Sequence, residues 1–315
     1  MTASPNPAKD TSTLDANLRT ILHEACHEAE LSPADARVLH HYANVVILLP
    51  DSSTVARISL NTSPDRALTS VAVTRWLATE QAFPVTAPIT GTAAVVVDDT
   101  TVVTFWRYYP QPETRQGLDS ANLARLLSRL HSLSAPPVEL PQWEPLRSLY
   151  QLVESDIGNR ALTRQERRWL LDRITSTQDA VIATESELGW GHVHGDAWAG
   201  NLMWDHEPQA DNGGRGILLG DWDSVCYGPR EIDLIPSWHA AVRYGKGPEW
   251  ARAFALNYGY DLSRWPGFHT LFVMRDLIQL AGPLRRAGHN AEFADALRQR
   301  MAGIRAGDQN QWREF

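Results

Sequence analysis

Apolar residues recur at helical spacing near the start of the chain. Leu14, Leu18, Ile21, Leu22, Ala25 and Ala29 share one face, and Pro33 closes the segment. Two apolar runs follow, "NVVILL" (Asn44–Leu49) and "TVARISL" (Thr54–Leu60), separated by the turn residues Pro50 to Ser53; this pattern predicts a hairpin. "SPDRALTSVAVTRWLATE" then reads as a helix, with Ser63 as N-cap and Pro64 at the first helical position. A second hairpin is expected from Ala93 to Trp106, with Asp98 and Asp99 in its turn.

After "RYYPQPETRQG" strand signals become scarce and helical periodicity takes over, roughly at Ser120–Leu133, Arg164–Glu187, Glu231–Tyr244, Trp265–Arg286 and Glu292–Ile304. Two strand-like pieces interrupt the helices, around His192–His194 and at "GILLGDWD" (Gly216–Asp223), joined by a polar loop from Glu207 to Gly216. No internal repeat is present. The pattern predicts an α+β chain in two lobes. A polar, partly disordered lead-in over 1–13 precedes a small mixed lobe over 14–106; a connector near 106–112 leads into a larger helical lobe within 107–315. Ligands favour the cleft between lobes of this kind.

Composition narrows the classes. Apolar content of 43% and charged content of 21% are those of a globular enzyme, and a net charge of −8 argues against a nucleic-acid partner. Cys26 and Cys226 are the only cysteines, which describes a reducing compartment and not a disulfide framework. The segment "MTASPNPAKDTST" lacks an apolar signal core, and no run approaches the roughly eighteen apolar residues of a membrane span, so no membrane partner and a cytoplasmic location are expected. Of the 29 lysines and arginines only Lys9 and Lys246 are lysine, a bias common in GC-rich genomes.

Three chemistries compete for the polar motifs. "HEACH", His23 to His27, has the spacing of a zinc-binding HExxH helix, but the apolar stripe of that helix lies on nearly the opposite side, so both histidines are expected in water. A phosphate loop fails outright: no GxxxxGK[ST] or GxGxxG occurs. Phosphoryl transfer to a hydroxyl needs a carboxylate to orient the acceptor, oxygen ligands for magnesium and cations on the nucleotide phosphates. "HVHGDAWAGN" supplies Asp196 with Asn201 five positions later, and Asp221 follows the apolar strand "ILLG" twenty-five residues after Asp196.

"HVHGDAWAGNL" together with "ILLGDWDSVCYGPREIDL" resembles the paired signature of the aminoglycoside phosphotransferase-like family, over about Leu39 to the C-terminal helices and most strongly from His192 to Leu234. The resemblance implies a protein-kinase-like fold and an enzyme that passes the γ-phosphate of ATP or GTP to a hydroxyl of an aminoglycoside, amino sugar or related small alcohol. It implies Asp196 as the catalytic aspartate and Asn201 and Asp221 as Mg²⁺ ligands. His194 would brace the catalytic loop, and Asp223 and Asp233 match positions that organise loops and helix ends. The connector Thr104 to Tyr108 corresponds to the adenine-binding hinge, which places Phe105, Trp106, Arg107 and Tyr108 at the nucleotide. Candidates for the acceptor wall are Glu154, Asp156, Asp223, Arg275 and Asp276, while Trp198, Trp204 and Trp222 read as core aromatics.

Two departures accompany the resemblance. Where the family carries a strand lysine, this chain has Arg57, which keeps the charge and can grip phosphate in a fork. No carboxylate lies between Asp65 and Glu80, and Ser70 occupies the place of the glutamate that would orient the strand cation. An alternative function follows from these departures, a catalytically weak pseudokinase that senses nucleotide or binds a partner.

Overall fold

The computed structural model describes residues 9–10, 14–41, 44–60, 63–112, 117–208 and 215–313. The chain packs as two units that do not follow its linear order. Met1–Leu118, Ser132–Leu140 and Gly200–Val225 form the first; Asp119–His131, Pro141–Ala199 and Cys226–Phe315 form the second.

The first unit is built on an antiparallel sheet with strand order β1-β2-β3-β4-β6-β5. Its strands are β1 (Lys9–Asp10), β2 (Arg37–His41), β3 (Asn44–Leu49), β4 (Thr54–Leu60), β5 (Ala94–Asp98) and β6 (Thr101–Arg107). Both expected hairpins are present. β1 and β2 are additional, and β1 falls in the stretch expected to be disordered; the rest of that stretch, 1–8 and 11–13, lies outside the described residues. Helix α1 (Ala16–Glu28) starts at Asp15, whose carboxylate accepts from the Leu18 amide at 2.8 Å. Its buried face, Leu18, Ile21, Leu22 and Ala25, joins Val45, Ile47, Leu49, Ala56, Ile58 and Phe105 in one apolar core. His23 and His27 project to water, as the apolar stripe required. Helix α2 (Pro64–Thr79) begins as predicted, with Ser63 accepting from the Asp65 amide and Pro64 in the first turn.

The first unit also holds a hairpin from much further along the chain, β8 (Leu202–Pro208) with β9 (Arg215–Leu219). Most of the polar loop expected between Glu207 and Gly216 lies outside the described residues. The two strand-like pieces of the sequence do not pair with each other. β9 takes β8, while β7 (Trp190–Val193) pairs in the second unit with β10 (Cys226–Pro229).

The second unit is otherwise helical: α3 (Ser120–Ser132), α4 (Arg147–Glu154), α5 (Asp156–Ala161), α6 (Arg164–Ile182), α7 (Glu231–Arg243), α8 (Pro248–Tyr258), α9 (Phe268–Ile278), α10 (Ala281–Arg286) and α11 (Ala291–Ala306). The long segment expected over Trp265–Arg286 is two helices, because Gln279 closes α9 and Pro283 sits in the first turns of α10. α6 stops at Ile182, five residues before its expected end, and the chain turns there toward β7. Both cysteines are buried and unbridged, and no helix among the described residues is long and apolar enough to cross a membrane.

Candidate active site

In the first unit, hairpin register brings two predicted ligands together. Leu202 pairs with Leu219, and the Gly220 amide donates to the Asn201 carbonyl at 2.9 Å, so Asn201 and Asp221 flank the same end of the hairpin. That end is fastened to the segment after α2: Leu219 donates to the Pro84 carbonyl at 2.9 Å and accepts from the Thr86 amide at 3.1 Å. Gly220 permits the approach, since a Cβ there would lie 3.2 Å from the Thr86 methyl and 3.4 Å from the Met203 sulfur. Asp221 takes the left-handed conformation, φ 61°, and leads into a 3₁₀ turn at Trp222–Ser224. Trp222 anchors that turn from the core: its indole donates to the Leu219 carbonyl at 2.9 Å and meets Phe83 edge-on.

Arg57 is the cation of this region. Its strand neighbours Ala56 and Ile58 belong to the core beneath α1, so strand alternation turns Arg57 to the other face. There it forks onto Asp223, with Nη1 donating to Oδ1 at 2.7 Å and Nη2 donating to Oδ2, while Nη2 lies 3.8 Å from Asp221. The orienting carboxylate that the sequence did not provide on α2 is thus provided by the turn. Ser70, at the expected glutamate position, is buried with no hydrogen-bond partner for its hydroxyl. His40, though exposed, occupies the same cross-strand row, opposite Val46 and hence Arg57; partial desolvation, and then the Arg57 charge, lower its pKa.

Asn201 and Asp221 offer hard oxygen donors, and the Asp221 side chain is 52% exposed. That chemistry suits Mg²⁺, which holds several waters and needs few protein ligands. Among the described residues there is no cluster of three or more histidines, cysteines or acids that could hold a metal ion.

In the second unit the organising group is Asp233, in the first turn of α7 and fully buried. It accepts from the amides of His194 at 2.7 Å and Gly195 at 2.8 Å, and lies 3.1 Å from His131 Nε2. Burial alone would raise this carboxyl; the hydrogen bond and charge of His131, with the charge and amide of His194, hold it below the usual range. Tyr258 completes the chain of contacts, its hydroxyl 2.8 Å from His131 Nδ1. One step away, buried Glu231 accepts from the amides of Glu187 and Leu188 at 2.7 and 2.8 Å and from the Ser186 hydroxyl. These two acids fix both ends of β7. His192 is also a core residue, set 3.0 Å from the Leu130 carbonyl, and burial lowers its pKa.

Asp196 follows the positive-φ Gly195 at the exit of this strand. Its side chain is 40% exposed and accepts from Arg275 Nη1 on α9 at 2.8 Å. His194 is fully buried behind it, with Nδ1 3.4 Å from the Asp196 amide, the bracing place expected of it.

The remaining predicted residues scatter. Asp276, next to Arg275, faces inward: it takes two donors from Arg243, at 2.6 and 2.9 Å, and lies 3.0 Å from His239. Its carboxylate belongs to a buried network, not to an acceptor wall. Glu154 and Asp156 stand exposed at the junction of α4 and α5, with Arg167 4.0 Å from Glu154. The expected hinge is still strand. Phe105, Arg107 and Tyr108 donate their amides to Ala93, Ala87 and Ser53, so those three N–H groups are engaged within the first unit. Trp222 is the core aromatic expected, whereas Trp198 is exposed. A cavity of about 430 Å³ in the second unit, walled by Trp143, Trp190 and Trp265, contains none of the predicted site residues.

A small antiparallel sheet unit and a larger helical unit bearing a His-Gly-Asp turn together define a protein-kinase-like fold. The chain belongs to the phosphotransferase enzyme family, whose model matches residues 36–268. It is accordingly an enzyme of the small-molecule phosphotransferase class, with an alcohol group as acceptor. Solved structures share the fold at low identity. A microcompartment-associated aminopropanol kinase has 19% identity over 91% of this chain and 95% of that one, with a TM-score of 0.64. The GDP and kanamycin complex of APH(2")-IIia has 15% identity over 93% and 99%, with a TM-score of 0.61. Spectinomycin phosphotransferase in complex with ADP and spectinomycin has 12% identity over 92% and 98%, with a TM-score of 0.60. Comparison with curated protein sequences gave no match.

Proposed function

We propose that this enzyme transfers the γ-phosphate of ATP or GTP to a hydroxyl of an aminoglycoside, amino sugar or related small amino alcohol in the cytoplasm. The observation that carries the reading is the register of β8 and β9, which brings Asn201 and Asp221, five and twenty-five residues after Asp196, to the same end of the hairpin. Bound Mg²⁺ would neutralise charge on the nucleotide phosphates, with Asn201 and Asp221 as its protein ligands. Arg57 would steady the phosphates. Asp196, held by Arg275, would orient the acceptor hydroxyl and take its proton. The segment around Trp106 and the residues following Tyr108 would meet the base, chiefly through carbonyls and side chains, because neighbouring amides are engaged.

The amino-bearing acceptor is supported by the names of the neighbours, an aminopropanol kinase and enzymes holding kanamycin or spectinomycin, and by the exposed acids Glu154 and Asp156. Neighbours holding ADP and GDP support a purine nucleotide without choosing between ATP and GTP. The pseudokinase alternative loses part of its basis, because Asp223 supplies the partner that α2 lacks for Arg57.

A panel of amino alcohols, amino sugars, aminoglycosides and sugars, each with Mg-ATP and Mg-GTP and scored for nucleoside diphosphate release, tests the reading. Asp196→Asn is expected to lower turnover by ~10²–10⁴-fold with nucleotide affinity retained. Full turnover in that variant would refute the assignment of Asp196.

A further inference from the structure

Arg57 stands between two carboxylates of different use. Asp223 receives both terminal nitrogens of the guanidinium, whereas Asp221, the proposed metal ligand, lies 3.8 Å from the nearer one. A guanidinium and a carboxylate at that separation attract each other, and only a stronger competitor keeps the contact from closing. Asp223 is that competitor, and its hold on Arg57 is geometric as well as electrostatic. The turn that carries it is pinned by the buried Trp222, and α2 packs against the same turn. α2 itself offers no acid to take over: Ser70 contributes a buried hydroxyl without a partner.

We infer that Asp223 is a positioning residue that holds Arg57 off Asp221 and so keeps the Asp221 oxygens available to the metal. The inference rests on the proposed nucleotide and Mg²⁺ reading and adds a role to a residue that touches neither phosphate nor metal in it. If Asp223 became neutral, the fork would open and Arg57 would swing onto Asp221, the acid already 3.8 Å from it. The bound divalent ion would then have to displace a guanidinium. Metal-free nucleotide faces no such competition and retains the cation for its phosphates. Loss of Asp223 should therefore weaken the benefit that Mg²⁺ confers on nucleotide binding, and do so only while Arg57 is present.

The test is calorimetric titration of the full chain with ADP, in Mg²⁺ and in EDTA, for the wild type, Asp223→Asn, Asp223→Glu, Arg57→Ala and the Arg57→Ala/Asp223→Asn double variant. Circular dichroism and melting temperature are recorded for each. Loss of one charge-assisted fork predicts an Mg-ADP affinity lower by about tenfold in Asp223→Asn, little change in EDTA, and partial recovery in Asp223→Glu. In the Arg57→Ala background the second substitution should have no further effect on Mg-ADP. Equal weakening with and without Mg²⁺, or the same loss in the Arg57→Ala background, would overturn the inference while leaving the nucleotide site intact. A wild-type protein that binds ADP in neither condition would remove the nucleotide reading and this inference together.

Discussion

Asp233→Asn is the sharpest test of how the Asp196 turn is held. The carboxylate is fully buried and receives two backbone amides, from His194 and Gly195, together with the ring of His131. Asparagine has the same shape but one acceptor oxygen, and its NH₂ would face a donor. At least one buried amide then loses a charge-assisted bond, about 1.5–3 kcal/mol, and the His131 ring loses its carboxylate partner. Together these give a loss of about 3–5 kcal/mol, the range for breaking one side of a buried charged network. Against a total stability of about 5–15 kcal/mol that is a large fraction.

Urea unfolding followed by circular dichroism measures this loss, with the slope expected to stay constant while the midpoint falls. The penalty should be as large at pH 5.5 as at pH 7. A carboxyl depressed in the folded state contributes stability that is complete above its unfolded pKa and fades only as the pH falls through the depressed folded value. A loss below ~1 kcal/mol at either pH, with unchanged slope, would show that the turn is held by other contacts and refute the keystone role.

Two further outcomes follow from the second unit. Arg275→Ala should lower kcat by about one to two orders of magnitude with ADP affinity unchanged, because it frees the Asp196 carboxylate from its 2.8 Å anchor without touching the nucleotide ligands; unchanged kcat in steady-state assays would exclude an orienting role. His239 is brought by burial to a pKa of about 4, partly countered by Asp276, so the unfolded chain takes its proton first and stability present above pH 6.5 is lost as the pH falls toward 4. That step amounts to about 3 kcal/mol and should be absent from the chemical-denaturation pH profile of His239→Gln.

The parts of this fold that were legible in the sequence are those set by neighbours along the chain. Ser63-Pro64 starts α2 where the cap chemistry requires, and the apolar runs around Pro50–Ser53 form β3 and β4. β2 was missed because "RVLHH" lacks apolar–polar alternation, with a bulge between Val38 and His40 and both histidines exposed, and β8 because "LMWDHEP" is mostly polar outside its first residues. β10, "CYGP", is too short to announce itself; it is a strand only because β7 lies beside it. α8 did carry signals, Pro248 at its first turn and Gly259 after its end, which the periodicity reading passed over.

The same division runs through the site. Spacing and the family resemblance marked Asp196, Asn201 and Asp221, which lie on one loop and one strand end within a short stretch of chain. The carboxylate partners of two candidate arginines could not be found that way, because Arg57 meets Asp223 across 166 positions and Arg275 meets Asp196 across 79. The sequence presents Arg57 as a cation without its helix partner and Arg275 as a candidate for the acceptor wall. Both contact carboxylates, Arg57 through two nitrogens on Asp223, a fork for which the point charge of lysine is poorly shaped, and Arg275 through one on Asp196. The arginine at position 57 and the lack of an acid on α2 are therefore compatible features of one arrangement. A fork reaching Asp223 leaves a helix glutamate nothing to orient, and without that glutamate only a residue able to fork is held in place.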